Sequence, residues 1–372
     1  MTRPRIPFMS LLPREDAADV RAAIERVVAS GWFILGPEVE AFETEFAAAS
    51  GVARAVGVGN GTDAIALILR ALGIGPGDEV ITTPLSAAYT ALAVLMAGAR
   101  PVFADIDPVR LTIDPDAASA AVTPRTRAIL PVHLYGQAAD LEAIARVASR
   151  HNLAIVEDCC QAHLATARGR AVGTVGVAGA FSFYPTKNLG ALGDGGAIVT
   201  NDRALADRVV SLRNGGQIDR YRHQEPGVNS RRDEMQAAIP RARLPRLAGW
   251  TAHRRALASA YRAALAGAPI DVPPAADPGH VYHLFVVRAS RRGRLDRRAA
   301  LQAHLEDRGV ETLVHYPVSI PRQPALADAS PAECPRAAVA CDEVLSLPLH
   351  PGLTDAELAD VAGAVVDFPD KD

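Results

Sequence analysis

The chain has 372 residues, 49% of them hydrophobic and 22% charged, a size that suits two domains and a large core. A formal net charge of −3 supplies no overall field for nucleic acid or an anionic membrane. No apolar run nears the ~18–20 residues of a membrane span, and the basic first thirteen residues lack the apolar core of a secretory signal. The expectation is a cytoplasmic protein with neither nucleic-acid nor membrane partners.

Ala53–Val58 reads as a strand running into the glycine-rich turn Gly57-Val58-Gly59-Asn60-Gly61-Thr62. Asp63–Leu72 then reads as a largely buried helix. Glu79–Thr82, Pro101–Ala104, Ala128–Val132 and Leu153–Val156 are apolar runs too short for helices, and helical stretches such as Thr90–Met96 and Leu141–Ser149 intervene. Short apolar strands separated by helices predict an α/β fold with a mainly parallel sheet covered on both faces. Ala180–Phe183 and Gly196–Thr200 add strands to it. Pro240 falls inside a helix-like stretch, where proline costs about 3 kcal/mol, so a break is expected there. An Arg- and Ala-rich helix follows through Leu265. After the Pro-rich piece Pro273–Pro278 come a strand at Tyr282–Arg288, a helix near Arg297–Arg308 and the closing segment Val344–Val366. The expected division is a large domain over residues 1–245 and a smaller C-terminal α+β domain over residues 246–372.

The four cysteines are Cys159, Cys160, Cys334 and Cys341. Their spacing suits no zinc site, and adjacent cysteines make a poor disulfide, so reduced thiols and no metal are expected. The glycine-rich turn could cradle an anion at a helix N-terminus. It lacks the third glycine of the dinucleotide fingerprint and any following Gly-Lys-Ser/Thr, and an ordinary capped strand–helix turn explains it as well. Glu157 and Asp158 end a strand, where open α/β sheets bind ligands. An acid there either caps the next turn or, beside a pyridine ring, keeps the ring nitrogen protonated.

Among 39 basic residues only Lys187 and Lys371 are lysines; every other is arginine. Lys371 is the penultimate residue, which leaves Lys187 as the only lysine in the body of the chain. Arginine cannot lose its proton, whereas a lysine amine can do so and form an imine. The strand Phe181-Ser182-Phe183 delivers Lys187 into a loop followed by Asn188-Leu189-Gly190 and Gly193-Asp194-Gly195-Gly196. Partial burial there lowers the amine's pKa and prepares it for an aldehyde cofactor.

The run FSFYPTKNLGALGDGGAIVT resembles the DegT/DnrJ/StrS-type sugar aminotransferases, pyridoxal-phosphate enzymes of fold type I. Agreement extends through GWFILGPE at 31–38, VGNGTDAIAL at 58–67, LPVHLYGQAADL at 130–141 and VEDCCQAH at 156–163. It continues in GVNSRRDEMQAA at 227–238, VYHLFVVR at 281–288, HYPV at 315–318 and SLPLHPGLT at 346–354. The resemblance implies pyridoxal 5'-phosphate on Lys187 as a Schiff base, with Asp158 on the pyridinium nitrogen and Gln161 at the phenolic oxygen. It implies phosphate contacts from Gly61, Thr62 and Ser182. Asn229 would reach the phosphate from a partner subunit, giving a homodimer with shared sites. Arg231, His315 and Tyr316 would line a sugar-nucleotide pocket, while His133 and His163 read as hydrogen-bonded structural histidines.

Two departures bear on the substrate. Pro84-Leu85-Ser86-Ala87-Ala88-Tyr89-Thr90 has small residues where relatives place an aromatic over the ring, and Ser319-Ile320-Pro321-Arg322 lacks a histidine that many relatives carry. The implied reaction is amino transfer from L-glutamate to a nucleotide-linked keto-sugar, at C-3 of a 3-keto-6-deoxyhexose. A 4-keto-sugar or keto-cyclitol is the nearest alternative, and a non-catalytic sugar-nucleotide regulator a more distant one. Dehydratases on this scaffold have histidine in place of the lysine, which Lys187 opposes.

Overall fold

The computed structural model describes residues 5–12, 14–274, 277–290, 296–326 and 333–369; Lys371 lies outside them. Two helices open the chain, α1 (Ala17–Ser30) and α2 (Pro37–Ser50), both ended by glycines in the left-handed conformation. The first two thirds then builds the sheet from β1 (Arg54–Val58), β2 (Glu79–Thr82), β3 (Arg100–Phe103), β4 (Thr126–Leu130) and β5 (Ala154–Asp158). The hairpin β6 (Thr166–Ala167) and β7 (Arg170–Ala171) interrupts it before β8 (Ala178–Ser182) and β9 (Gly196–Thr200) complete it.

Seven strands run in the order β1-β9-β8-β5-β4-β2-β3. All neighbouring pairs are parallel except those of β9, which runs opposite to β8 and β1. Helices α3 (Gly61–Ala71), α4 (Tyr89–Met96), α5 (Pro115–Ala120), α6 (Leu141–His151) and α7 (Arg203–Arg213) alternate with the strands. One core packs Ile65, Leu67, Ile68 and Leu69 of α3 against β5, β8 and β9; another lies across the sheet around Ile81, Ile129 and Ile144. Both faces are covered, as strands this apolar require.

A small hairpin, β10 (Gln217–Asp219) and β11 (Arg222–His223), leads to α8 (Glu234–Arg243) and α9 (Leu247–Ala264). The expected break at Pro240 does not occur, and α8 continues to Arg243. Pro240 has no N–H to give the carbonyl of Gln236, and Arg232 Nη2 donates to that oxygen instead at 2.7 Å. A tertiary contact thus satisfies the acceptor that proline leaves open. The helix gives way to a tighter turn at Leu244–Arg246.

The remaining elements are β12 (Phe285–Arg288), α10 (Arg297–Glu306), α11 (Pro335–Glu343), β13 (Val344–Leu347) and α12 (Asp355–Val366). β12 and β13 pair antiparallel, and a separate core of Tyr261, Phe285, Val287, Leu301, Leu345 and Val361 forms around them. No helix among the described residues is long and apolar enough to cross a membrane.

Candidate active site

The carboxyl ends of β1, β5 and β8 meet at one edge of the sheet, where open α/β folds bind ligands. At the end of β1 the chain turns into α3, with Asn60 as the cap: its Oδ1 accepts the Asp63 N–H at 2.9 Å. Gly61 and Thr62 are the first helical residues, so their N–H groups precede the helix's own bonding and carry its positive end. Ser182, at the end of β8, abuts this turn. A Cβ on Gly61 would lie 2.9 Å from the Ser182 Cβ and 2.6 Å from the Cys160 Sγ. Only glycine allows so close an approach, and the result is a cup of backbone donors and a hydroxyl.

Asp158 closes β5 and is 4% exposed. Its Oδ2 accepts from Thr90 Oγ1 at 2.8 Å and its Oδ1 from the Cys160 N–H at 3.1 Å. Gln161, one turn on, accepts the Tyr135 N–H at 2.8 Å and donates to Tyr316 Oη at 3.0 Å. Tyr135 Oη donates to the carbonyl of His315, so the HYP segment is tied to the floor of the site.

Lys187 follows a turn closed by its own N–H to the Tyr184 carbonyl at 2.8 Å. It is half-buried, and desolvation lowers its pKa despite the opposing pull of Cys160 and Asp158. Around it stand three histidines that stay neutral. Burial, followed by the charge of Lys187, pushes His163 down to about 3, His315 to about 4 and His283 well below its usual value. Burial likewise pushes the Tyr316 hydroxyl up to about 12 against the bond from Gln161, so it remains protonated. One amine and one carboxylate are left as the chemically active charges.

The structure brings Lys187, Asp158, Gly61, Thr62, Gln161, Ser182, His315 and Tyr316 into one region. Asn229 and Arg231 are exposed, and neither side chain bonds to any of these among the described residues. Between them Ser230 is buried, accepting the Gly59 N–H at 3.0 Å and donating to Asp63 at 2.6 Å. Their segment therefore borders the glycine turn while both side chains project from this chain. Tyr89 is 65% exposed at the start of α4, leaving the small Ala87 and Ala88 partly open nearby.

His133 is hydrogen-bonded as expected, and His163 is buried against Phe181 and Phe183 with its ring at the Ser182 backbone. Aromatic packing holds it. His133, Glu157 and Cys159 lie close enough to suggest a metal cluster. However, His133 Nδ1 accepts the Ala139 N–H, and the Glu157 oxygens accept from His133 Nε2, Gly173, Val175 and Gly176 at 2.7–3.0 Å. Ligand lone pairs already engaged this fully build a staple rather than a cation site. Thr90, Tyr135 and His283 were not singled out from sequence, although Tyr135 and His283 lie in the matched runs 130–141 and 281–288. For Thr90 the signal was its hydroxyl at the end of the unusual Ala87-Ala88-Tyr89-Thr90 stretch.

Pyridoxal phosphate fits these residues: a donor cup that a Cβ would fill, an oriented buried carboxylate and a half-buried amine. The family model of the DegT/DnrJ/EryC1/StrS aminotransferase family matches residues 14–366. The chain is 48% identical to a dTDP-3-amino-3,4,6-trideoxy-alpha-D-glucose transaminase from Streptomyces venezuelae, over 99% of this chain and 97% of that protein. It also matches the crystal structure of S. venezuelae DesV in complex with a ketimine intermediate, with a TM-score of 0.93, 48% identity and 99% of both chains covered. The structure of NtdA from Bacillus subtilis with bound cofactor PMP matches with a TM-score of 0.89 and 33% identity, over 98% of this chain and 85% of that one. By fold, by site and by sequence, this chain belongs to the DegT/DnrJ/EryC1/StrS aminotransferases and is a fold type I enzyme that uses pyridoxal 5'-phosphate.

Proposed function

We propose that the chain transfers an amino group from L-glutamate to C-3 of a nucleotide-linked 3-keto-6-deoxyhexose. The observation that carries this reading is the near-full-length likeness to a transaminase named for a 3-amino dTDP-sugar, together with a neutral wall of His315 and Tyr316 beside Lys187. When bound, the cofactor supplies an aldehyde for the donor's amine and a pyridine ring that takes up electrons. Gly61, Thr62 and Ser182 hold its phosphate, and Asp158, fixed by Thr90 and Cys160, holds the proton on the ring nitrogen. Lys187 binds the cofactor at rest. Once released, its amine moves a proton at the donor's α-carbon and, in reverse, at the sugar carbon. Burial lowers its pKa and so favours the neutral form that can accept that proton.

The direct test incubates purified enzyme and glutamate with 3-keto and 4-keto sugar nucleotides and inososes, with mass detection of the amino product. Amination of the 3-keto substrate is expected; exclusive turnover of a 4-keto-sugar or an inosose refutes the assignment. Borohydride should also fix the cofactor on Lys187, and label found only on Lys371 or the N-terminus refutes its role.

The same reading places each site across a homodimer, with Asn229 and Arg231 serving the partner's pocket. Its support is their exposure next to an open apolar stretch, Trp32 at 57% and Phe33 at 54%, joined to α8 through the Glu234 N–H to Phe33 carbonyl bond at 2.9 Å. Mixing Lys187→Ala with Asn229→Ala chains gives heterodimers in which one site carries both defects and the other neither. Activity under limiting cofactor should then rise above that of either variant. Demonstrated subunit exchange without such a rise overturns the shared site.

A further inference from the structure

A second space adjoins Lys187 and takes no part in the cup. This cavity of about 110 Å3 lies between residues 185–188 with Gly190, residues 9–12 and 14–16, and residues 350–352. Thr62, Asp158, Gln161, Ser182, His315 and Tyr316 do not line it. Neither the cofactor phosphate nor the proposed sugar-nucleotide wall accounts for it.

Its lining is cationic: Arg14, Lys187, Arg243 and Arg254 stand against Glu15 and Asp16. Asp16 is engaged by Arg243, whose Nε lies 2.7 Å from its Oδ2, and Glu15 accepts the Trp250 indole N–H at 2.6 Å. Arg14 and Arg254 form no ion pair among the described residues. Arg14 Nη1 donates to the Gly352 carbonyl at 3.1 Å, and Arg254 Nη1 to the carbonyls of Tyr282 at 3.1 Å and Leu349 at 2.8 Å. Arg254 is only 4% exposed, and its Nε has no partner. Burial alone pushes its pKa down to about 10, with no acidic group opposing. His350 is equally buried; burial, with Arg254 and Arg14, pushes its pKa down to about 4, so it is neutral and its ring faces the Pro7 carbonyl. A buried guanidinium with an unused Nε–H and no acidic partner, lining one cavity with the exposed guanidinium of Arg14, is the fitting of an anion site.

We propose that this cavity receives a carboxylate of the amino donor, an acidic α-amino acid, between Arg254 and Arg14. The assignment rests on the amino-transfer reading and supplies the half of it that the cofactor cup leaves open. A donor anchored here lies against Lys187, the group that must exchange places with its amine. A nucleotide diphosphate shares the anionic chemistry, so the test separates the two.

Holoenzymes of the wild type, Arg254→Gln and Arg14→Gln are titrated calorimetrically with glutarate, a dicarboxylate that cannot react. The donor half-reaction is followed by cofactor absorbance without sugar, and KM is measured separately for the sugar nucleotide. Loss of a charge-assisted contact should weaken glutarate binding and donor kcat/KM by about 10–100-fold in Arg254→Gln and about fivefold in Arg14→Gln. The sugar-nucleotide KM should stay within about threefold, because that ligand gains nothing from these side chains. Failure of glutarate to bind the wild type, or equal binding to all three proteins, overturns the proposal. A raised sugar-nucleotide KM with unchanged donor constants also overturns it, giving the cavity to the diphosphate. Should Arg254→Gln fail to fold, Arg14→Gln decides alone, since its side chain is exposed. If no keto-sugar nucleotide is aminated, the substrate reading fails, and glutarate binding with the donor half-reaction still judges the cavity.

Discussion

Glu157 and Asp158 leave β5 side by side, project to opposite faces as strand residues must, and are both almost sealed from solvent. Glu157 meets four donors from its own chain, His133 Nε2 and the amides of Gly173, Val175 and Gly176. Asp158 meets two, Thr90 and the Cys160 amide, and lies within electrostatic reach of Lys187. A carboxylate whose lone pairs are filled internally locks the fold, whereas one held by fewer contacts keeps an oxygen sector for a ligand. The difference between them lies in what each face of the sheet supplies, since the residues are chemically alike.

Asp158→Asn strains this contrast hardest. A neutral amide cannot hold a ring proton, so turnover should fall by about 10³-fold, roughly 4 kcal/mol, with little change in melting temperature. Steady-state kinetics with calorimetric melting checks both halves, and near-normal turnover would make Asp158 a mere cap. Glu157→Gln should do the reverse. Its amide group turns a donor towards donors, costing about 2–4 kcal/mol of stability in urea titrations while turnover per folded molecule is kept. Thr90→Val sharpens the picture further: Asp158 loses the Thr90 hydroxyl, and turnover should drop about tenfold, near 1.4 kcal/mol, with stability almost unchanged.

The smallest effect is on pH dependence. Burial alone would raise the Glu157 pKa, but His133 and the Gly176 and Gly173 amides overcome it and hold the value below 4.5. A folded pKa below the unfolded one gives stability that is complete above the unfolded value and lost as pH falls through the folded one. The stability gap between wild type and Glu157→Gln should therefore be widest near neutrality and narrow steadily below about pH 4.5. Urea titrations at a series of pH values measure it, and a gap that widens in acid would contradict the assignment.

The sheet was largely legible from periodicity, because each short apolar run between helices had one way to be buried. Lys187 was legible for a different reason: in an arginine-rich chain its chemistry had no substitute. The division of labour between Glu157 and Asp158 was invisible, since it depends on Thr90 and on residues 173–176, distant in sequence. Pro240 misled for the same reason, its missing hydrogen bond being made good by Arg232. His163 sits among aromatic rings beside the Ser182 backbone, a setting that no local pattern announces. The cavity beside Lys187 gathers residues from positions 9 to 352, and no motif spans such distances.

Arg232 also bears on how the molecule breathes. Its guanidinium lies 4.2 Å from the ring centre of Phe42 and 4.6 Å from that of Phe183, and its Nη1 donates to the Gly196 carbonyl at 2.9 Å. Gly195 must lack a side chain to admit it, because a Cβ there would come within 2.8 Å of Nη1. One side chain thus fastens α2, α8, β9 and the strand that delivers Lys187 into a single cooperative unit. Amide hydrogens of α8 and of β9 should exchange with deuterium at matched rates, as parts of one opening event. Replacing Arg232 with Met should uncouple them, so that the helix exchanges first while the strand stays protected. In this way the grip of one residue determines how far a disturbance at the exposed Asn229–Arg231 edge is felt at the lysine.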